Sequence, residues 1–385
     1  MHINKLFILA MITLFVIPHF LTAQISVSKI DDSFNAGNKD GIVYALPRTL
    51  IQVDVIVEQK ELLAGPLRNY AEKYLGITNY ISQNAFEYSI KGIKLIPVSE
   101  PDPEQYYFVS QVEKTSKETW QTIMTLNGHG MITSVGAVNG GQAGVANGLG
   151  NSMSDDEVRA IFSKYADLNL YAKVDTIVRT INIDTITIED YTFKTTMTNK
   201  PLEVKAREVA DMIHRVREGR YNLLTGYQEV NYSEGALKFM NEELLKMEEE
   251  YLCLFTGAVV KSNLTYSFTF LPTPENSGSS VPIFNFSESN GIAEGNGGGG
   301  QAMILIESHG NTSVLASGEA NSGGGLVYRI PEEAEVKLIY NSNTLAKIHA
   351  AISQFGRVAS LPAGVSNVEF DGETGGLRSI QLDAE

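Results

Sequence analysis

The residues able to do chemistry in this chain are few and scattered. Of six histidines, His2 and His19 lie in the first 23 residues, and His129, His214, His309 and His349 fall at no zinc-ligand spacing. His214 and His349 sit in stretches read as amphipathic helices, and His129 is read as a hairpin-turn residue. His309, in Glu307-Ser308-His309-Gly310, has the neighbours of a Ser/His/Asp set, yet no Gly-x-Ser-x-Gly elbow offers the nucleophile. Cys253 lies in the apolar run Tyr251-Leu252-Cys253-Leu254-Phe255 and reads as a buried thiol. A nucleophilic thiolate needs a basic or helix-N-terminal setting, whereas Glu248 to Glu250 stand just upstream. Gly295, Gly297 and Gly300 satisfy a Gly-x-Gly-x-x-Gly spacing, but a phosphate cradle needs a following helix and Ala302 to Glu307 reads as a strand.

Carboxylates and aromatics add no assignable centre. Glu100, Asp102 and Glu104 could bind calcium together with Asp155, Asp156 and Glu157, but no EF-hand spacing supports it and solvated loops are the preferred reading. Tyr106-Tyr107-Phe108 offers a sugar-stacking platform, against which stands the ordinary division of strand aromatics into half core and half surface. Glycoside hydrolysis needs two carboxylates at a set separation, and 45 acidic residues leave the pair open. Catalytic, cofactor-binding and metal-ligating residues are accordingly assigned nowhere, and no cofactor is expected.

What the N-terminus does define is an address. Lys5 precedes an apolar run from Leu6 to Leu21 that ends in Thr22-Ala23 before Gln24, the layout of a secretory signal peptide cleaved between Ala23 and Gln24. Thr13, Pro18, His19 and Thr22 interrupt the run, which falls short of the roughly 20 apolar residues of a spanning helix. A lipoprotein would carry cysteine where Gln24 stands. The expected protein is therefore periplasmic, unlipidated and without a membrane span after cleavage, an address compatible with association at the outer membrane. Cys253 alone permits no internal disulfide. The net charge of −15 becomes one unit more negative when Lys5 leaves, which disfavours nucleic acid and anionic lipid as partners.

The elements that must position these residues follow from periodicity. Alternation predicts strands over Gly41 to Glu58, with Pro47 at a bulge or break, over Tyr88 to Val98 and over Tyr106 to Val112, with a stiff acidic loop at 100–104. A short helix is predicted from Pro66 to Leu75, stopped by Gly76. Thr119 to Val135 reads as a hairpin turning on Asn127-Gly128, followed by a flexible Gly-rich loop. Ser154 caps a helix with Val158, Ile161, Phe162 and Tyr165 on one face, and Lys173 to Met197 reads as extended. Two amphipathic helices follow, one opened by Pro201 and closed by Gly219, the next capped by Ser233; they are expected to pair as a helical hairpin. Strands are predicted at Val259 to Leu271, Val281 to Phe286, Ala302 to Glu307 and Ser313 to Ala316. A helix at Thr344 to Phe355 and a hairpin at Asn367 to Leu382 complete the set.

Gly41-Ile42-Val43-Tyr44-Ala45-Leu46-Pro47 recurs as Gly325-Leu326-Val327-Tyr328-Arg329-Ile330-Pro331. Each copy is followed by a predicted strand, a short helix and a Gly-containing hairpin, which suggests an internal duplication. The expected class is α+β: two β-rich domains with a helical hairpin between them. The segments are a signal peptide (1–23), an N-terminal β-rich domain (24–135), the Gly-rich loop (136–153), a helix plus extended segment (154–198), the helical hairpin (199–253) and a C-terminal β-rich domain (254–385).

The run Gly41 to Thr49, Gly65-Pro66, Tyr70 to Ile77, Arg220-Tyr221-Asn222-Leu223-Leu224-Thr225-Gly226 and Val368-Glu369-Phe370 together resemble a domain-of-unknown-function family, number 4831, of secreted Bacteroidota proteins. The resemblance covers most of the chain beyond the signal and implies an exported envelope protein of that phylum, with no activity or site residues to carry over. The function expected is a non-enzymatic binding or scaffold protein of the cell envelope, with other envelope proteins or glycans as partners. The alternative is a periplasmic hydrolase of envelope or imported glycans.

Overall fold

The computed structural model describes residues 25–382 apart from 33, 36, 38–39, 112–123, 136–154, 168–169, 184–185, 228–231, 294–297, 315–324 and 362–364. Ala23 and Gln24, the Gly136 to Asn151 stretch, Ser154, Gly295 and Gly297 lie outside these residues.

Strict alternation builds the first sheet. In β2 (Gly41–Leu63), Ile51, Val53, Val55 and Val57 are fully buried, while Gln52, Asp54, Ile56 and Glu58 between them keep partial exposure, the period of two that one core-facing side demands. β2 pairs antiparallel with β3 (Ala85–Gln111) and β8 (Ala258–Phe270), and β1 (Ile25–Lys29) adds to β3, giving the order β1-β3-β2-β8. A second antiparallel sheet holds β9 (Ser280–Ser287), β10 (Gly291–Ala293), β11 (Gly300–Ser308), β12 (Val327–Tyr340) and β13 (Asn343–Ser360) in the order β10-β9-β11-β12-β13. The two sheets face one another: the β2 valines share a core with Ile304, Ile306, Val336, Leu338 and Ile352. Phe268 of β8 stacks on Phe284 of β9 with ring centres 5.1 Å apart. This is sandwich packing. The β-rich α+β class is the one expected, and segments 24–135 and 254–385, separate in sequence, share one core.

A smaller sheet joins β4 (Met124–Leu126), β5 (Ile132–Val135), β14 (Val365–Phe370) and β15 (Leu377–Leu382) in the order β15-β14-β5-β4. It covers a second core of Tyr44, Leu46, Tyr107, Ile132, Val327, Val368 and Phe370. The helices α1 (Ala71–Leu75), α2 (Asp155–Asp167), α3 (Leu202–Thr225) and α4 (Glu234–Thr256) form a third, around Leu67, Ala71, Ile161, Ala206, Val209, Ile213 and Phe255. The Ser233 hydroxyl accepts the Ala236 N–H, as an N-cap should. Arg217 of α3 meets Glu248 of α4 at 2.6 Å. β6 (Leu170–Ile183) and β7 (Ile186–Asn199) form a separate two-stranded ribbon.

Several expectations change for identifiable reasons. Residues 100–104 form part of β3: Glu100 pairs with Arg48, Pro101 with Pro47, and the residues up to Tyr106 bulge opposite Leu46. Gly219 lies inside α3, which ends instead at Gly226 in the left-handed conformation (φ 74°). Ser313 belongs to a 3-10 turn, Asn311–Val314, rather than a strand. In the β4–β5 turn the positive φ falls on Gly130 (78°), and the Asn127 carboxamide accepts the N–H groups of His129 and Met131 at 3.0 and 3.1 Å. Thr344 to Phe355 is strand, not helix. Asn341 and Ser342, at φ 48° and 65°, make the tight turn that folds β13 back on β12, with Ala350 and Ile352 turned to the core.

The expected duplication therefore lacks its second helix. What the two copies share is a strand with a bulged partner: residues 353–356 bulge opposite Pro331 much as 102–105 do opposite Leu46. At that second bulge a Cβ on Gly356 would lie 1.7 Å from the Ile330 carbonyl oxygen, so only glycine fits.

Candidate functional site

The residues singled out in the sequence are mostly absorbed by structure. Glu100 pairs with Arg48 at 2.5 Å and Asp102 with Arg329 at 2.9 Å, so two of the three loop carboxylates are ion-paired within the fold rather than poised for calcium. Tyr107 and Phe108 are buried, with Tyr107 stacked on Tyr44 and Phe108 tilted against Phe34, which leaves no sugar platform. The Cys253 thiol donates to the Glu250 carbonyl at 3.0 Å; burial first, then the Glu250 charge, pushes its pKa up to about 11, the opposite of nucleophilic activation. His349 stands on β13, where the strand brings its ring within 5.8 Å of His309, a neighbourhood its helical reading could not reveal. Among the described residues no three His, Cys, Asp or Glu side chains gather as metal ligands.

The two copies of the repeated motif meet. The Tyr44 hydroxyl donates to the Val327 carbonyl at 3.0 Å and accepts the Val327 N–H at 2.9 Å, so one hydroxyl bridges both strands. Burial, the leading cause, raises its pKa well above the ordinary phenol range. Arg329 donates to the Pro47 carbonyl at 2.8 Å as well as to Asp102. Both ends of this charge pair are buried and satisfied, the condition under which a buried ion pair is tolerated. Beside it Tyr328, Ile330, Pro331, Asp371, Thr374, Gly376, Leu377 and Arg378 line an open cleft of about 400 Å³. Its one carboxylate, Asp371, accepts the Glu373 and Thr374 N–H groups and pairs with Arg378 at 2.7 Å. Burial pushes that carboxyl up, but the backbone N–H donors and the guanidinium outweigh it and hold it below the usual range. Asp371 thus serves the turn as an anion, not as a proton donor.

Among the described residues, the ribbon is the region whose strands pair only with each other. Its register pairs Ala172 with Met197, Thr176 with Phe193 and Val178 with Tyr191 on one face, and Asp175 with Lys194 and Arg179 with Asp190 on the other. Alternation therefore gives one face on which Ala172, Val174, Val178, Tyr191, Phe193 and Met197 stand among threonines, and one on which Asp175, Arg179, Asp190 and Lys194 surround Ile177. Every side chain described from Ala172 to Thr180 and from Glu189 to Met197 is exposed, with Phe193 at 67 % and Met197 at 63 % of full exposure. Among the described residues neither ribbon edge is hydrogen-bonded to another strand. At about 3.3 Å per residue, 14 residues in each strand reach about 46 Å, and a hairpin of this kind alone is marginal in water. The sequence offered one extended segment here; the two strands and the residues that share each face across them become visible only once the register is known.

Fold and site together define a β-sandwich with attached helices and an amphipathic ribbon whose strands, among the described residues, pair only with each other. Residues 40–378 match the family described as Domain of unknown function (DUF4831), and the chain belongs to that family. No curated protein and no solved structure matches it. No described helix is long and apolar enough to cross a membrane.

Proposed function

We propose that the chain is an exported cell-envelope protein with a non-enzymatic binding or scaffold role, released into the periplasm by cleavage between Ala23 and Gln24 and free of lipid. The observation that carries the binding role is the ribbon's apolar face, because an ordered protein gains nothing by holding Val174, Tyr191, Phe193 and Met197 in water unless something covers them. Another polypeptide suits this element, since each free strand edge offers a row of backbone donors and acceptors as well as side chains. The Bacteroidota source is what the family resemblance implies, while the signal-like N-terminus supports the envelope setting in which envelope proteins or glycans would be partners and the outer membrane a site of association. The glycan-hydrolase alternative requires two carboxylates about 5–10 Å apart, and the cleft beside Pro331 contributes Asp371 alone.

A photoreactive benzoylphenylalanine at position 193, compared with one at exposed Glu72, tests the role in cells. The reading expects a soluble envelope fraction whose N-terminal residue is Gln24, with cross-links at 193 and none at 72. Retention of residues 1–23 would overturn the address, and equal labelling from both positions would overturn the binding surface.

A further inference from the structure

The β7 edge of the ribbon is self-complementary, and we infer that β7 pairs antiparallel with β7 of a second copy of this chain about a two-fold axis at Thr192. The register follows from β7 itself. Turned on Thr192, the strand sets Asp190 opposite Lys194 of the other copy and Lys194 opposite its Asp190. The same alignment sets Tyr191 opposite Phe193 twice on the apolar face. Opposite charges and aromatic pairs are the favourable cross-strand neighbours of an antiparallel ladder. Because Arg179 already lies opposite Asp190, and Asp175 opposite Lys194, the four strands present rows that alternate in sign: Arg179, Asp190, then Lys194 and Asp175 of the second copy. On the other face Val178, Tyr191 and the second copy's Phe193 and Thr176 run as one row. Nearly the whole of β7 pairs in this register, since its 14 residues are centred beside Thr192.

The β6 edge is the weaker candidate. Turned on Ile177 it also sets Asp175 against Arg179, but it brings no aromatic pair together. Pairing through β7 turns a two-stranded ribbon into a four-stranded sheet with one apolar face, and three or more strands with such a face are what independent stability requires. It leaves that face open to the further partner proposed above. The inference rests on the ribbon being a docking element, yet its failure is separable, because a monomeric protein can still cross-link to other envelope proteins through position 193.

Charge reversal tests the register on the chain from Gln24 to Glu385. Sedimentation equilibrium is expected to show a dimer of the unaltered protein. Lys194→Glu sets the new carboxylate opposite Asp190 of the other copy, and Asp190→Lys sets the new ammonium opposite its Lys194. Each variant alone is therefore expected to dissociate about 30-fold more readily, from two lost attractions and two new repulsions. Mixed together, the two variants bring Asp190 of one against Lys194 of the other, and the introduced carboxylate against the introduced ammonium. The heterodimer is expected to form at a concentration well below that which either variant alone requires, although Arg179 then faces the introduced ammonium and Asp175 the introduced carboxylate within their own ribbons. That rescue also shows that both variants are folded. A monomeric unaltered protein, a dimer indifferent to both substitutions, or failure of the mixture to associate would each overturn pairing through β7.

Discussion

The sandwich and the ribbon use the same alternation of apolar and polar residues and end in opposite states. In β2 the apolar set finds a second sheet: Val53 and Val55 are fully buried in the core that contains Ile304 and Val336. Arg329, brought inside, is matched by Asp102 and the Pro47 carbonyl, and Thr49 by Ser353 and Gln354. In the ribbon the apolar set of Val174, Val178, Tyr191 and Phe193 meets water. A pleated strand thus carries only an offer to bury one face. Whether the same chain accepts that offer depends on long-range pairing, and where it does not, the face is available to another molecule.

The sharpest way to break the sandwich while sparing the ribbon is to orphan the buried charge. Arg329→Ala leaves Asp102 without its cation, and loss of about 3–5 kcal/mol is expected in urea unfolding followed by far-ultraviolet circular dichroism. A next step down is Ile304→Ala, fully buried at the sandwich centre, with an expected loss of about 3 kcal/mol. Neither substitution touches the β7 edge, so a folded fraction of either variant should still associate as the unaltered protein does.

Glu332 gives a smaller and pH-dependent effect. Its carboxylate accepts the Asn311 and Thr312 N–H groups at 2.7 Å each and the Thr312 hydroxyl, closing the turn after β11. Burial works to raise its pKa, but those donors overcome it and the carboxyl lies below the ordinary value of 4.5. A depressed folded pKa means that the anion stabilises the fold fully above pH 4.5 and progressively less as pH falls below it. Glu332→Gln turns an amide N–H₂ toward donors and is expected to cost about 1–3 kcal/mol at neutral pH. Unfolding free energies measured from pH 7 downward should converge between the variant and the unaltered protein in the acid range; a constant gap would show that the carboxylate charge is not what holds the turn.

Legibility follows the range of the interactions. The Ser233 cap, the Gly76 stop and the alternation of Ile51, Val53, Val55 and Val57 are local and readable. Thr344 to Phe355 is not, because Ile348 and Ile352 stand four apart and fit a helix face, while Ala346, Ile348, Ala350 and Ile352 fit a strand equally well. Pairing with β12 and the Asn341-Ser342 turn decide between them. Asp102 looks like loop because Pro101 and Pro103 flank it, and its partner Arg329 lies 227 residues away. The ribbon's two strands merge into one extended segment because Asp184-Thr185 is not a recognisable turn dipeptide. Parity within β7 separates Tyr191 and Phe193 from Asp190 and Lys194, but only the register says which residues of β6 join each face.

The ribbon should respond in the reverse way to the sandwich, and this is the smallest effect on stability. Phe193→Ser removes the most exposed large side chain of the apolar face, which the described residues do not cover. Nothing is lost from the sandwich core when it goes, so the unfolding free energy should move by no more than about 0.5 kcal/mol. In the dimer, however, Phe193 stands opposite Tyr191 of the other copy on both sides of the axis, so one substitution deletes two aromatic pairs. Association measured by sedimentation should therefore weaken while the urea midpoint stays in place. A fall in the midpoint with association intact would mean that the face is folded against its own chain, and the contrast between the two regions would disappear.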